Sequence, residues 1–113
     1  MDDLLDDYCR HAANHGASLA TGDAESSNVS YDRLHETLIE LARVRRRNDL
    51  FGLYNFPDPH VQCWAAAHTL EVDPARALRK LADVVKLNIP ILSRDAELTI
   101  EEWKAGNLRF LAQ

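Results

Sequence analysis

The sequence contains two cysteines, Cys9 and Cys63, too few for a disulfide framework. No apolar run approaches the roughly 20 residues a helix needs to cross a bilayer, so no membrane contact is expected. The opening M-D-D-L-L-D-D is acidic and lacks the apolar stretch of a secretory signal. With both cysteines inside helical patterns, a reducing cytoplasm is the expected setting. A basic excess is missing too: 18 acidic side chains face 13 basic ones, for a net charge of -5. General nucleic-acid binders carry the opposite balance. The acidity instead suits a basic protein partner. Strand alternation, low-complexity segments and long linkers are all absent, so residues 1–113 are expected to form one domain. There is no glycine-rich phosphate loop, no G-x-S-x-G and no D-x-D loop cluster. No cofactor is expected.

What is present is helical periodicity. Residues 2–20 read as a first helix, with Leu5, Tyr8, Cys9, Ala12 and Leu19 approximating one face and Gly16 weakening its second half. The polar stretch 21–28 reads as a break. Ser30 is a candidate cap for a second helix over 31–46, with Tyr31, Leu34, Leu38, Leu41 and Ala42 on one side. Asn48 is expected to end it, before a short helix over 49–54.

Two Asp-Pro pairs, Asp58-Pro59 and Asp73-Pro74, have the form of helix starts. Aspartate can cap the first free N–H groups, and proline is tolerated at the first helical position. They predict a hairpin of helices over 59–70 and 74–87. Val61, Trp64, Ala65 and His68 share a face in the first, and Leu78, Leu81, Ala82 and Val85 in the second. A final helix runs from a Ser93 cap to Ala105, ended by Gly106, or starts later from a Thr99–Glu102 capping box; the longer version is preferred. The tail Leu108, Phe110 and Leu111 is apolar enough to dock on the body.

The run Asp58, Pro59, Val61, Ala65, Ala66 and Thr69-Leu70 resembles a HEAT-type repeat, with Gln62 where such repeats often carry arginine. From Leu4 to about Gly106 the chain also resembles a family of short bacterial proteins of unknown function. That resemblance implies an all-α, single-domain α-α superhelix, HEAT-like and right-handed, with five to six helices. It implies no catalytic residues. Related small helical-repeat proteins bind other proteins, and some small acidic ones resemble immunity proteins.

Several residue groups bear on chemistry. Asp7, His11 and His15 recur at helical spacing and offer three metal ligands, yet lack the H-E-x-x-H glutamate and a fourth ligand. Cys9 and Cys63 can be paired with His11 or His68 as a base, but both cysteines sit on apolar faces, where cysteine behaves as a small hydrophobe. Arg43, Arg45, Arg46 and Arg47 point in different directions around a helix end and are expected to pair with Glu40 or Asp49. Asp2, Asp3, Asp6, Asp7, Glu36 and Glu40 can steer a basic partner. Tyr54, Phe56 and Trp103 are candidate aromatic anchors.

These features point to a non-enzymatic protein-binding module, of immunity or antitoxin type, that occludes a basic toxin surface. Two other readings stand beside it: a small metal-binding enzyme using Asp7, His11 and His15, and a structural homodimer that buries the C-terminal tail.

Overall fold

Local signals account for most helix ends. The computed structural model describes residues 3–110. Six helical segments follow one another: α1 (Asp3–Thr21), α2 (Ala24–Arg43), a 3-10 segment (Arg47–Asn55), α3 (Pro59–His68), α4 (Pro74–Lys86) and α5 (Leu92–Lys104). No strand occurs among the described residues, and one contiguous core joins the helices. The all-α expectation of five to six helices therefore holds. Both Asp-Pro pairs start helices. Asp58 accepts a hydrogen bond from the His60 N–H at 2.8 Å, and Asp73 accepts one from the Arg76 N–H at 3.2 Å. Each satisfies a donor that the first turn leaves open.

Three helices end in the same way, with a left-handed residue and a pair of closing hydrogen bonds. After α1, Gly22 has φ +74°, and Gly22 and Asp23 donate to Leu19 and Ser18 at 3.2 and 2.9 Å. After α5, Gly106 has φ +79°, and Gly106 and Asn107 donate to Trp103 and Glu102, both at 3.0 Å. After α2 the left-handed residue is Arg45, at φ +62°, with Arg45 and Arg46 donating to Ala42 and Leu41 at 3.1 and 2.8 Å. No glycine marks that end, so the second helix stops before the expected residue 46.

The expected break over 21–28 is confined to Gly22 and Asp23, between α1 and α2, and residues 24–28 are helix instead. Asp23 caps α2, accepting from the Ser26 N–H at 3.0 Å and from its hydroxyl at 2.8 Å. Ser30 is not a cap. It lies inside α2, buried with Ser27, in the helix that packs most extensively on α1. Small polar side chains read as loop along the chain, but in the fold their size lets two helices approach. Residue 48 does not break a helix either, because it lies within the 3-10 segment.

At the start of α5, Ile91 takes the N-cap position at φ +70° with no side-chain cap. Ser93 does other work: its hydroxyl donates to the Val84 carbonyl at 2.9 Å and accepts the Ile89 N–H at 2.8 Å. It joins α5 to the end of α4. Thr99 lies within the helix and donates to the Asp95 carbonyl at 2.8 Å, so the later start is not used.

α3 lies at the centre, touching α1, the 3-10 segment, α4 and α5. Val61, Ala65, Ala66 and Leu70 are fully buried. Trp64, expected in the core, is half-buried. The buried line of α4 is Ala77, Leu81 and Val84, with Leu78 and Val85 half-buried. That line is rotated from the expected stripe because α4 packs on α3 and α5 together. Most interior polar groups are paired, Ser27 Oγ and His35 Nδ1 being buried without a hydrogen-bond partner among the described residues. The Tyr8 hydroxyl meets His68 Nδ1 at 2.7 Å, and the Tyr54 hydroxyl meets Thr69 Oγ1 at 2.6 Å. Arg47 donates to the His68 carbonyl at 2.9 Å and to Glu71 at 2.7 Å, pinning the 3-10 segment to the α3–α4 turn. Gly16 is a close approach: a Cβ there would run into the His60 ring. Among the described residues no helix is long and apolar enough to cross a membrane.

Candidate functional site

α1, α3 and α5 each expose a stripe at helical spacing to one shared space. His15 and Leu19 come from α1; His60, Cys63, Trp64 and Ala67 come from α3; Asp95, Leu98, Thr99 and Glu102 come from α5. Tyr31 of α2 and the tail residues Leu108 and Phe110 complete the lining. The result is an open, mainly apolar groove of about 360 Å³. It exists because α5 leans on α4 and touches α3 only lightly.

The aromatic wall centres on Trp64, which lies edge-on to Tyr31 at 5.7 Å and to His15 at 5.3 Å. Tyr31 remains 40% exposed, as does Leu98, although the sequence pattern placed Tyr31 on the inner side of its helix. The titratable groups are unevenly held. Burial pulls His15 below the usual imidazole pKa, with Asp95 opposing the shift. Burial raises the Asp95 carboxyl, with His15 and His60 opposing. His60 Nδ1 is 3.1 Å from the Asp58 carboxylate. The Cys63 thiol is pushed up to about 12, by burial first and by the charge of Asp95 second.

The residues singled out from sequence are scattered. Asp2 and Leu111 lie outside the described residues. Asp3 and Asp6 are exposed on the first turns of α1, and Asp7 pairs with Arg10 at 2.6 Å. Glu36 is exposed, and Glu40 accepts from Arg43 Nε at 2.8 Å. Arg46 reaches Asp49 at 2.8 Å, so the expected pairing of the arginine run with Glu40 and Asp49 is observed, while Arg47 turns inward to Glu71. Among the described residues no three His, Cys, Asp or Glu side chains come together to hold a metal ion. Asp7 is held by Arg10, and His15 turns to Trp64, so Asp7, His11 and His15 do not converge.

Tyr54 is core rather than a loop anchor, being buried with its hydroxyl on Thr69. Phe56 and Trp103 are half-buried against the core. The tail docks as expected through Leu108 and Phe110, with Phe110 edge-on to His68 at 4.7 Å. No thiol–imidazole pair is set up at His68. That ring is buried, hydrogen-bonded to Tyr8 and lowered to about 3 by burial, with Arg47 and His35 adding to the shift. Burial likewise pushes the Cys9 thiol up to about 11, with Asp6 adding to it.

Sequence reasoning missed the groove and, with it, His60, Asp95 and Leu98. The available signal was a set of three stripes at matching helical spacing on α1, α3 and α5. Nothing along the chain says that they face one another.

Known proteins agree with this architecture. Residues 12–103 match the model of a domain of unknown function, DUF2019. The chain belongs to the DUF2019 family. The DUF2019 segment contains all the helical walls of the groove, from His15 to Glu102, but not the acidic start at Asp3, Asp6 and Asp7 or the tail Leu108–Phe110. A solved structure, that of the protein RPA1889 from Rhodopseudomonas palustris CGA009, superposes with a TM-score of 0.86 at 22% identity. The match covers 95% of this chain and 90% of that one, and it is a likeness of fold. No curated protein matches this chain.

Proposed function

We propose that this chain is a non-catalytic protein-binding module whose groove between α1, α3 and α5 receives an apolar segment of a partner protein. The observation that supports this most is the groove itself: about 360 Å³, open to solvent, with Tyr31 and Leu98 left 40% exposed. Exposed apolar concavities of this kind mark binding sites more often than accident. Aromatic side chains that keep one face open are the usual anchors of such contacts. The two thiols are held protonated by burial, which favours binding over thiol chemistry.

An immunity or antitoxin-like protein, covering a basic toxin surface, is the specific form this reading takes. The net charge of -5 favours it, as do the exposed carboxylates at Asp3, Asp6 and Glu36, through faster encounter with a basic partner. The HEAT-type reading of the α3–α4 hairpin belongs to the same proposal. It is supported by the two Asp-Pro starts and the buried Val61, Ala65 and Ala66. Gln62 supplies a different contact from the arginine of such repeats, donating to the Phe56 carbonyl at 2.5 Å.

Selection of a displayed random-peptide library on the folded chain tests the reading. Peptides enriched in Leu, Phe or Trp are expected, and Leu98→Gln and Tyr31→Ala should abolish their binding with helical content unchanged by circular dichroism. Absence of enrichment, or binding indifferent to both changes, would remove the groove as the binding surface.

A further inference from the structure

α5 holds two kinds of carboxylate. Glu97 and Glu101, facing away from the groove lining, lie 2.6 and 4.0 Å from Arg94. Asp95 and Glu102, which do line the groove, have no side-chain hydrogen bond or ion pair to any described residue. Among the described residues no lysine or arginine lines the groove. Its other titratable groups are His15 on α1, Tyr31 on α2, and His60 and Cys63 on α3. His60 already lies against Asp58. The groove therefore presents two exposed carboxylates without a side-chain partner among the described residues, in the same lining as Trp64 and Tyr31.

That combination has a specific chemical complement. A lysine or arginine side chain has an apolar stem and a charged end. Its stem suits the wall of Trp64 and Tyr31, whose rings also attract a cation, and its end suits the carboxylates. An uncharged apolar side chain would fill the space but cover the exposed carboxylates of Asp95 and Glu102 without giving them a partner. Partial desolvation raises the Asp95 carboxyl, with His15 and His60 opposing, and an arriving cation would lower it again.

We infer that the groove takes a lysine or arginine side chain of the partner protein, flanked by apolar residues, with its charged end at Asp95 and Glu102 and its stem along Trp64 and Tyr31. This rests on the reading of the groove as a protein-binding site and names the chemistry of the occupant.

Three short capped peptides serve as probes: Leu-Lys-Leu, Leu-norleucine-Leu and Leu-Glu-Leu. They are titrated against the isotopically labelled full chain, with the Trp64 indole N–H and the Thr99 amide as NMR reporters. The lysine peptide is expected to bind about tenfold tighter than the norleucine peptide, a ratio set by charge alone at equal stem length. Asp95→Asn and Glu102→Gln together should bring the two peptides level, and neither change removes a hydrogen bond of the fold. Equal or tighter binding of the norleucine peptide would overturn the cationic occupant while leaving an apolar binding groove in place. Tighter binding of the glutamate peptide would overturn it as well. If none of the peptides moves either reporter, the groove reading fails together with this one.

Discussion

Trp64 of α3 stands between two regions that are built from similar residues to opposite effect. The His68 ring of α3 lies 5.1 Å from the Trp64 ring, and the His15 ring of α1 lies 5.3 Å from it. His68 is 2% exposed and hydrogen-bonded to Tyr8. His15 opens on the groove and has no hydrogen-bond partner among the described residues. Around His68 the buried His35 Nδ1 has no partner among the described residues, but the polar side chains that join the helices are answered: Tyr8 by His68, Tyr54 by Thr69, Arg47 by Glu71. Around His15 the carboxylates of Asp95 and Glu102 are not. Residue type alone does not distinguish a structural histidine from one at a binding surface. Closure of the surroundings does.

The closed side should carry the stability, and the largest effects should fall there. Leu81→Ala is expected to lower unfolding free energy by about 2–5 kcal/mol, since Leu81 is fully buried and leaves a cavity; urea titration measures it. Tyr8→Phe should lose about 1–3 kcal/mol by leaving His68 Nδ1 unsatisfied inside the protein. The double change Tyr8→Phe with His68→Leu should cost less than the sum of the two single changes, which a double-mutant cycle reads directly.

Acid should act through the same ring. His68 has its pKa lowered from 6.5 to about 3, so the unfolded chain takes up a proton that the folded chain refuses. Its contribution is fully present above pH 6.5 and is lost progressively as pH falls toward about 3. Between pH 6.5 and 5 it removes roughly 2 kcal/mol, and the urea midpoint of the His68→Leu variant should depend less on pH over that range. In NMR titrations His68 should stay neutral at pH 5, and His15, partly buried, should titrate below the ordinary imidazole range.

The smallest effects belong to the groove. Leu98→Gln should change stability by no more than about 0.5 kcal/mol, because Leu98 is a partly exposed wall residue and not a core one. A large loss there would show that the groove is part of the load-carrying core, and the contrast between the two sides would disappear.

The starts of α3 and α4 were legible because an Asp-Pro pair acts on its own next turn, and the structure puts both helices at Pro59 and Pro74. The helix ends at Gly22 and Gly106 follow for the same local reason. Other ends were hidden. Arg45 takes the left-handed position without being glycine, and Ser27, which reads as loop, and Ser30, which reads as a cap, are buried inside a helix. The candidate anchors fared by surroundings rather than by type. Tyr54 reads as exposed aromatic but is buried on Thr69, while Tyr31 reads as inward and stays 40% exposed.

The sequence by itself determined that this chain is helical, acidic and capped at definite places, because propensity, capping and charge act within a turn or two. It also placed Trp64 on an apolar stripe. Whether that stripe would be covered was decided only by the tertiary structure. α5 packs on α4 through Ser93 and the α4 core line, so it leaves the second face of α3 open. The direction in which one helix leans on another depends on residues far apart along the chain, and it is this that turns a buried-looking tryptophan into the wall of a groove.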